Sequence, residues 1–225
     1  MIRTRLAAVA VTLLTAMSAS AQQATRTTAP KPAWPERAVR RDIPLQPGIK
    51  RAYAQGTRDS TGAPGRNYWQ QSVDYRINAT LDAPAGVLHG SETVTLHNTT
   101  PNTLNNIALR LYQNYFKATV QRNDYVTDIT DGVVMERLVI NGTPISLTDS
   151  AHYRVNGTVA SVIPSSPIAP GANATIEAMG HGVVPRCYTL ERGERMGRFG
   201  DYLYQVAQWY PQVAMYDDMR GWDTD

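Results

Sequence analysis

From Asn67 onward the chain is built of short stretches in which apolar and polar residues alternate. Val73, Tyr75, Ile77, Ala79 and Leu81 take every second position over nine residues. That period puts one face of a β-strand on a core and the other in water. Asp82-Ala83-Pro84-Ala85-Gly86 supplies a turn, after which Leu88, Gly90, Glu92, Val94 and Leu96 alternate with Thr93, Thr95 and His97 in a returning strand. The pair predicts an antiparallel hairpin. Ile107, Leu109 and Leu111 repeat the period. Leu138 and Ile140 lead into Asn141-Gly142, a dipeptide whose preference for positive φ suits a two-residue hairpin turn, and Ile145 and Leu147 follow it. Val155, Val159 and Val162 fall in further short strands, and Pro170-Gly171 turns the chain into Ala174, Ile176 and Ala178. No segment sustains a 3.6-residue period over ten positions. Strands at roughly 8–12-residue spacing imply an all-β fold, an antiparallel β-sandwich or a saddle-like sheet, over residues 67–225.

Two segments precede it. Arg3 and Arg5 stand before an apolar run from Leu6 to Met17 and the small residues Ala19-Ser20-Ala21, the three-part pattern of a signal peptide spanning 1–21, cleaved near Ala21. The run is too short, and too interrupted by Thr12 and Thr15, to span a bilayer, which needs about 20 apolar residues. We therefore expect an exported protein, periplasmic or extracellular, with no transmembrane segment. Residues 22–66 are rich in Pro, Thr, Ala and Arg and predict an extended linker with a short docked piece near Tyr53.

Charge separates these regions further. The net charge is +3, but residues 22–66 carry +6 and the chain from Asn67 onward −5. An acidic folded part argues against a nucleic-acid partner, which needs clustered Lys and Arg. Cys187 is the one cysteine, so no intramolecular disulfide forms and an apolar core must stabilise the domain.

Candidate chemistry is sparse. His89, His97, His152 and His181 lie at no metal-binding spacing, and neither a His-Glu-x-x-His helix, a Gly-x-Ser-x-Gly elbow nor a phosphate-binding glycine loop occurs. The histidines read as ordinary surface or edge-strand residues, and we expect neither a catalytic residue nor a bound metal in this chain. Asp217-Asp218 reads as a turn or cap rather than a carboxylate pair. The sequons at Asn78, Asn98, Asn141, Asn156 and Asn173 read as residues of turns and strand edges. The densest region is the tail, where Tyr202, Tyr204, Trp209, Tyr210, Tyr216 and Trp222 mingle with Gln205, Gln208 and Gln212. Rings give contact area and amides give orientation, so this cluster suits a ligand pocket as well as an interface or a packed domain end.

The run from Leu203 to Pro211, continuing through Val213–Asp218 to Gly221-Trp222, resembles the late N-terminal domain of secreted bacterial alanyl-aminopeptidase-like zinc metallopeptidases, the gluzincins. Tyr68-Trp69-Gln70-Gln71, Gly90-Ser91-Glu92, Leu109–Asn114 and Ile168-Ala169-Pro170-Gly171 are similar to the same domain in the same order. The resemblance implies a large antiparallel β domain preceding a thermolysin-like catalytic domain, in which two His and a Glu hold zinc and a further Glu is the general base. It makes that catalytic domain, missing here, the partner, and a peptide the substrate. It also implies that Gln205 or Gln208 grips the substrate's free amine. The family's Gly-x-Met-Glu-Asn loop is not matched, since Gly132–Arg137 has an extra residue and ends in Arg. After Glu177 the alternation breaks at Met179–Cys187, which predicts a loop insertion or a reading-frame slip across 179–193. The expectation is an N-terminal, cleft-forming domain that is incomplete at Asp225; the alternative is a free-standing secreted β-sandwich that binds a protein or glycan.

Overall fold

The computed structural model describes residues 44–123, 125–126, 128–187 and 196–224. The signal segment, the linker up to 43 and residues 188–193 of the suspected slip lie outside them. Residues Leu45–Asp225 form a compact unit, whose described residues are all-β apart from two short helices.

The large sheet has strand order β1-β2-β8-β4-β5, with β1 Ser72–Asp82, β2 Val87–His97, β4 Val133–Ile140, β5 Thr143–Pro144 and β8 Asn173–Val183. Every pairing in it is antiparallel. The expected hairpin is β1-β2, in unbroken register from Ser72 opposite His97 to Asp82 opposite Val87. Asn141 and Gly142 close β4-β5 with φ of 49° and 77°, as a primed two-residue turn requires. The second sheet has the order β11-β3-β7-β6, with β3 Ile107–Arg110, β6 Tyr153–Asn156, β7 Val159–Val162 and β11 Gln212–Val213. Val94, Leu96, Leu138, Ile140 and Ile176 of the large sheet pack with Ile107, Leu109 and Val162 of the smaller one, and all are buried. This is the core of a sandwich. Two more hairpins, β9 Met196–Phe199 with β10 Leu203–Val206 and β12 Tyr216–Asp217 with β13 Gly221–Trp222, complete the fold.

Two expectations need correction. The extended reading of 22–66 fails at Pro47–Gln55, which is a helix, α1. Pro47 opens its first turn, Gly56 ends it at φ 69°, and Ala52 is buried; a proline at the start and a glycine just past the end are helix signals in their own right. Tyr53, around which a docked piece was expected, lies within it. α1 sits on the C-terminal segment: Arg51 donates to the Met219 carbonyl at 2.5 Å. The other correction concerns β8, which does not break after Glu177 but runs on through Val183. Gly180 and Gly182 stand on its inward positions, where apolar residues would have shown the period. A Cβ on Gly180 would lie 2.4 Å from the Val134 carbonyl oxygen, so only glycine lets β4 come that close. Among the described residues no helix is long and apolar enough to cross a membrane.

Candidate functional site

The inner face of the large sheet is covered in two parts. At the end holding Val94, Leu96 and Ile176 the second sheet lies on it. At the other end, Gly90 of β2 faces Gly180 of β8, and the aromatic tail closes over this glycine floor. A Cβ on Gly90 would meet Trp209 Cζ3 at 2.3 Å, so the indole rests on bare backbone. Tyr210 stands edge-on to Trp209, ring centroids 5.6 Å apart, and edge-on to Tyr75 of β1, also at 5.6 Å. The Tyr75 hydroxyl accepts a hydrogen bond from the Val213 amide at 2.9 Å, which fixes the far end of the tail.

Beneath these rings lies a chamber of about 30 Å³ lined by Ile77, Met135, Ala178, Trp209 and Tyr210, with Glu92 and Gln113 as its polar members. Glu92 pairs with Ile77 and Ala178 across the strands and is 6% exposed. Burial pushes its carboxyl up to about 8, because the anion loses its hydration with no cation to replace it. Gln113 belongs to a short 3-10 helix, Tyr112–Phe116. Its Nε2 donates to the carbonyls of Ala207 at 3.0 Å and Gln208 at 3.3 Å, which settles which end of the amide points away. Gln113 Oε1 and Glu92 Oε2 are both buried without a hydrogen-bond partner. Two polar oxygens thus enter an apolar chamber, a setting that favours the protonated form of Glu92, whose O–H is then a donor beside the Gln113 acceptor. Burial also raises the Tyr75 phenol to about 12.

Gln205 lies on β10 opposite Gly197, and Gln208 follows at the kink before Trp209 with φ 50°. Both side chains are exposed and neither lines the Glu92 chamber; what the kink delivers there is the Gln208 carbonyl. Glu92 and Gln113 were missed as a pair. The signal for Glu92 was a carboxylate in the apolar parity of its strand, between Gly90 and Val94.

Asp217 and Asp218 behave as structural residues. Asp217 Oδ1 accepts from the amides of Met219 and Arg220 at 2.9 and 2.6 Å, forming a turn. Asp218 takes a forked contact from Arg58, at 2.8 to 3.1 Å, and a hydrogen bond from Thr57 at 2.5 Å, and the Arg58 guanidinium holds its carboxyl below the usual range. It pins the segment after α1 to the tail. Asn98 is buried, and its Nδ2 donates to the carbonyls of Asn102, Ile168 and Ala169 at 2.9 to 3.0 Å, so its amide is committed to the fold. Cys187 is buried, with Sγ donating to the Met196 carbonyl at 3.3 Å. Among the described residues no group of three or more His, Cys, Asp or Glu is placed to hold a metal ion.

No family model matches the chain, and no curated protein does. Solved structures that match part of the chain include an M1 zinc metallopeptidase from Deinococcus radiodurans, at 15% identity and TM-score 0.35, covering 53% of this chain and 22% of that one. A mutant of that enzyme bound to a Tyr-Ser-Ala substrate matches at 14% identity and TM-score 0.36, covering 56% and 23%. A two-domain M1 zinc metallopeptidase mutant bound to L-arginine matches at 14% and 0.35, covering 56% and 24%. The chain therefore spans less than a quarter of the length of these structures.

Proposed function

We propose that this chain is the N-terminal, cleft-forming β domain of an exported zinc metallopeptidase of aminopeptidase type, whose catalytic domain lies outside these 225 residues. The observation that carries the reading is the ordered set of motifs from Tyr68 to Trp222. In its densest part, Leu203–Trp222, Trp209 and Tyr210 form an aromatic wall over the glycine floor of β2 and β8, while Tyr216 and Trp222 pack in a second cluster with Trp69. Such a wall suits one side of a cleft between domains. Gln205 and Gln208, exposed on and beside β10, are available to a peptide's free amine, and either one serves that role in this reading. Zinc, held by the missing domain, would supply Lewis-acid chemistry and an activated water; this chain would shape the cleft and orient the peptide.

The test is the coding sequence downstream of codon 225. The reading expects an in-frame continuation that completes the β domain and then encodes a His-Glu-x-x-His helix with a further Glu beyond it. An immediate stop, or a continuation without that helix, would leave a secreted β-sandwich that binds a protein or glycan. A biochemical counterpart is that the purified chain hydrolyses no aminoacyl reporter; chelator-sensitive hydrolysis by the chain alone would refute the division of labour.

A further inference from the structure

On the outer face of the large sheet the strand register joins two histidines that are 92 positions apart in the chain. His89 of β2 is the direct cross-strand partner of His181 of β8, and their ring centroids are 5.5 Å apart, tilted by 39°. The two strands pair over eleven residues without a bulge, so the rings stand on a rigid ladder. A third residue reaches them from β4. There the register shifts between Met135, opposite Gly180, and Arg137, opposite Met179, which leaves Glu136 as the extra residue of a β-bulge. Bulges re-aim a side chain; this one brings Glu136 Oε1 to 2.5 Å from His181 Nδ1.

That contact fixes the imidazole chemically. A carboxylate can only accept, so His181 Nδ1 carries the hydrogen, which in the neutral ring makes Nε2 the nitrogen that can bind a metal. A carboxylate behind a histidine in this way is the usual support of a metal-ligating imidazole, setting its tautomer and raising its basicity. The spacing fits as well. A metal about 2 Å from a ring nitrogen stands roughly 3.2 Å from that ring's centroid, so centroids 5.5 Å apart leave a spacing that one ion can bridge at an angle of roughly 120° once the ring nitrogens turn toward it. Small side-chain rotations close that angle further, and solvent can reach the remaining positions because His89 and Glu136 are exposed and His181 is partly so.

We propose that His89 and His181 chelate a divalent first-row metal ion on the outer face of the sheet, with Glu136 positioning His181. Two neutral imidazoles and open water positions select nitrogen-preferring ions, and the stability order of such ions places Cu²⁺ ahead of Ni²⁺ and Zn²⁺. The site stands on strand register alone and is independent of the role assigned to the aromatic tail.

The test uses the full chain without an affinity tag. Cu²⁺ is titrated against a competing chelator, with electron paramagnetic resonance reporting the nitrogen ligands of the bound ion. One tight equivalent with two imidazole nitrogens is expected, bound more weakly as Ni²⁺ or Zn²⁺. His89→Ala and His181→Ala should each reduce Cu²⁺ affinity by about 100-fold, and Glu136→Gln by about 10-fold. His97→Ala and His152→Ala should leave it unchanged. All three site residues are on the solvent side, and circular dichroism verifies that each variant folds. The proposal is overturned if the double variant His89→Ala/His181→Ala holds Cu²⁺ as tightly as the unaltered chain, if one histidine matters and the other does not, or if no equivalent is held against the chelator.

Discussion

The two ends of the large sheet's inner face are made of the same four long strands but are built on opposite principles. At the sandwich end Val94, Leu96, Ile140 and Ile176 meet the second sheet in an all-hydrocarbon core. At the tail end the equivalent positions are Gly90, Glu92, Gly180 and Gly182, and the cover is Trp209 and Tyr210 from a chain segment more than a hundred residues away from β2. The first arrangement gains stability from buried aliphatic area. The second gives up side chains to make room for rings and keeps two buried polar oxygens without a hydrogen-bond partner under them. Where a sheet trades aliphatic side chains for glycine and a buried carboxylate, it forgoes stability to make a shaped space, and that is where function is expected to reside.

The largest effect should come from the sandwich end. Leu96 is fully buried, and Leu96→Ala removes its methyl groups and leaves a cavity, at a cost of about 2–5 kcal/mol. Urea unfolding followed by far-UV circular dichroism measures this. A loss below about 1 kcal/mol, too small for truncation of a core leucine, would mean that the two sheets are not packed as described.

At the tail end the expected sign reverses. The Glu92 carboxyl rises from 4.5 to about 8 in the folded chain. Between those values the folded state keeps a proton that the unfolded state has released, so stability falls as pH rises across that window and levels off above it. Glu92→Gln replaces the carboxyl with a neutral group of the same shape. It should change little near pH 4 and stabilise the chain by up to about 4 kcal/mol near pH 8, the extra stability growing across the window. Parallel pH profiles for the two proteins would show instead that Glu92 is hydrated or paired when folded.

The same contrast explains what could be read in advance. At the sandwich end apolar alternation was complete, so β1, β2, β3 and the Asn141-Gly142 hairpin were legible from residues alone. At the tail end the inward residues of β8 are Gly180 and Gly182, whose reason is the approach of β4 at Val134, and no local pattern carries that information. α1 was masked by the proline-rich composition around it, although Pro47 and Gly56 marked both its ends. Gln113 sat within a motif noted for its order, but its meeting with Glu92 depends on how a 3-10 helix is laid across the sheet. The approach of His89 to His181 likewise needs the register of β2 on β8 and a bulge in β4.

The smallest expected effect is the most specific to the tail end, because it depends on one contact. Gly90 has no positive φ, so its backbone accepts alanine and glycine is not required there for conformational reasons. What excludes a Cβ is Trp209, whose Cζ3 would lie 2.3 Å away. Gly90→Ala must therefore push the indole off the sheet, at a cost of about 1–3 kcal/mol for overpacking, with a shift in tryptophan emission as the ring gains solvent. In a Trp209→Ala background the obstacle is gone. The same Gly90→Ala change should then be neutral, or stabilising by about 0.4–1 kcal/mol through the reduced freedom of the unfolded chain. The difference between the two backgrounds is the coupling energy of a double-mutant cycle. If Gly90→Ala costs the same with and without the indole, Trp209 does not rest on Gly90, and the tail does not close the sheet at the point on which the chamber depends.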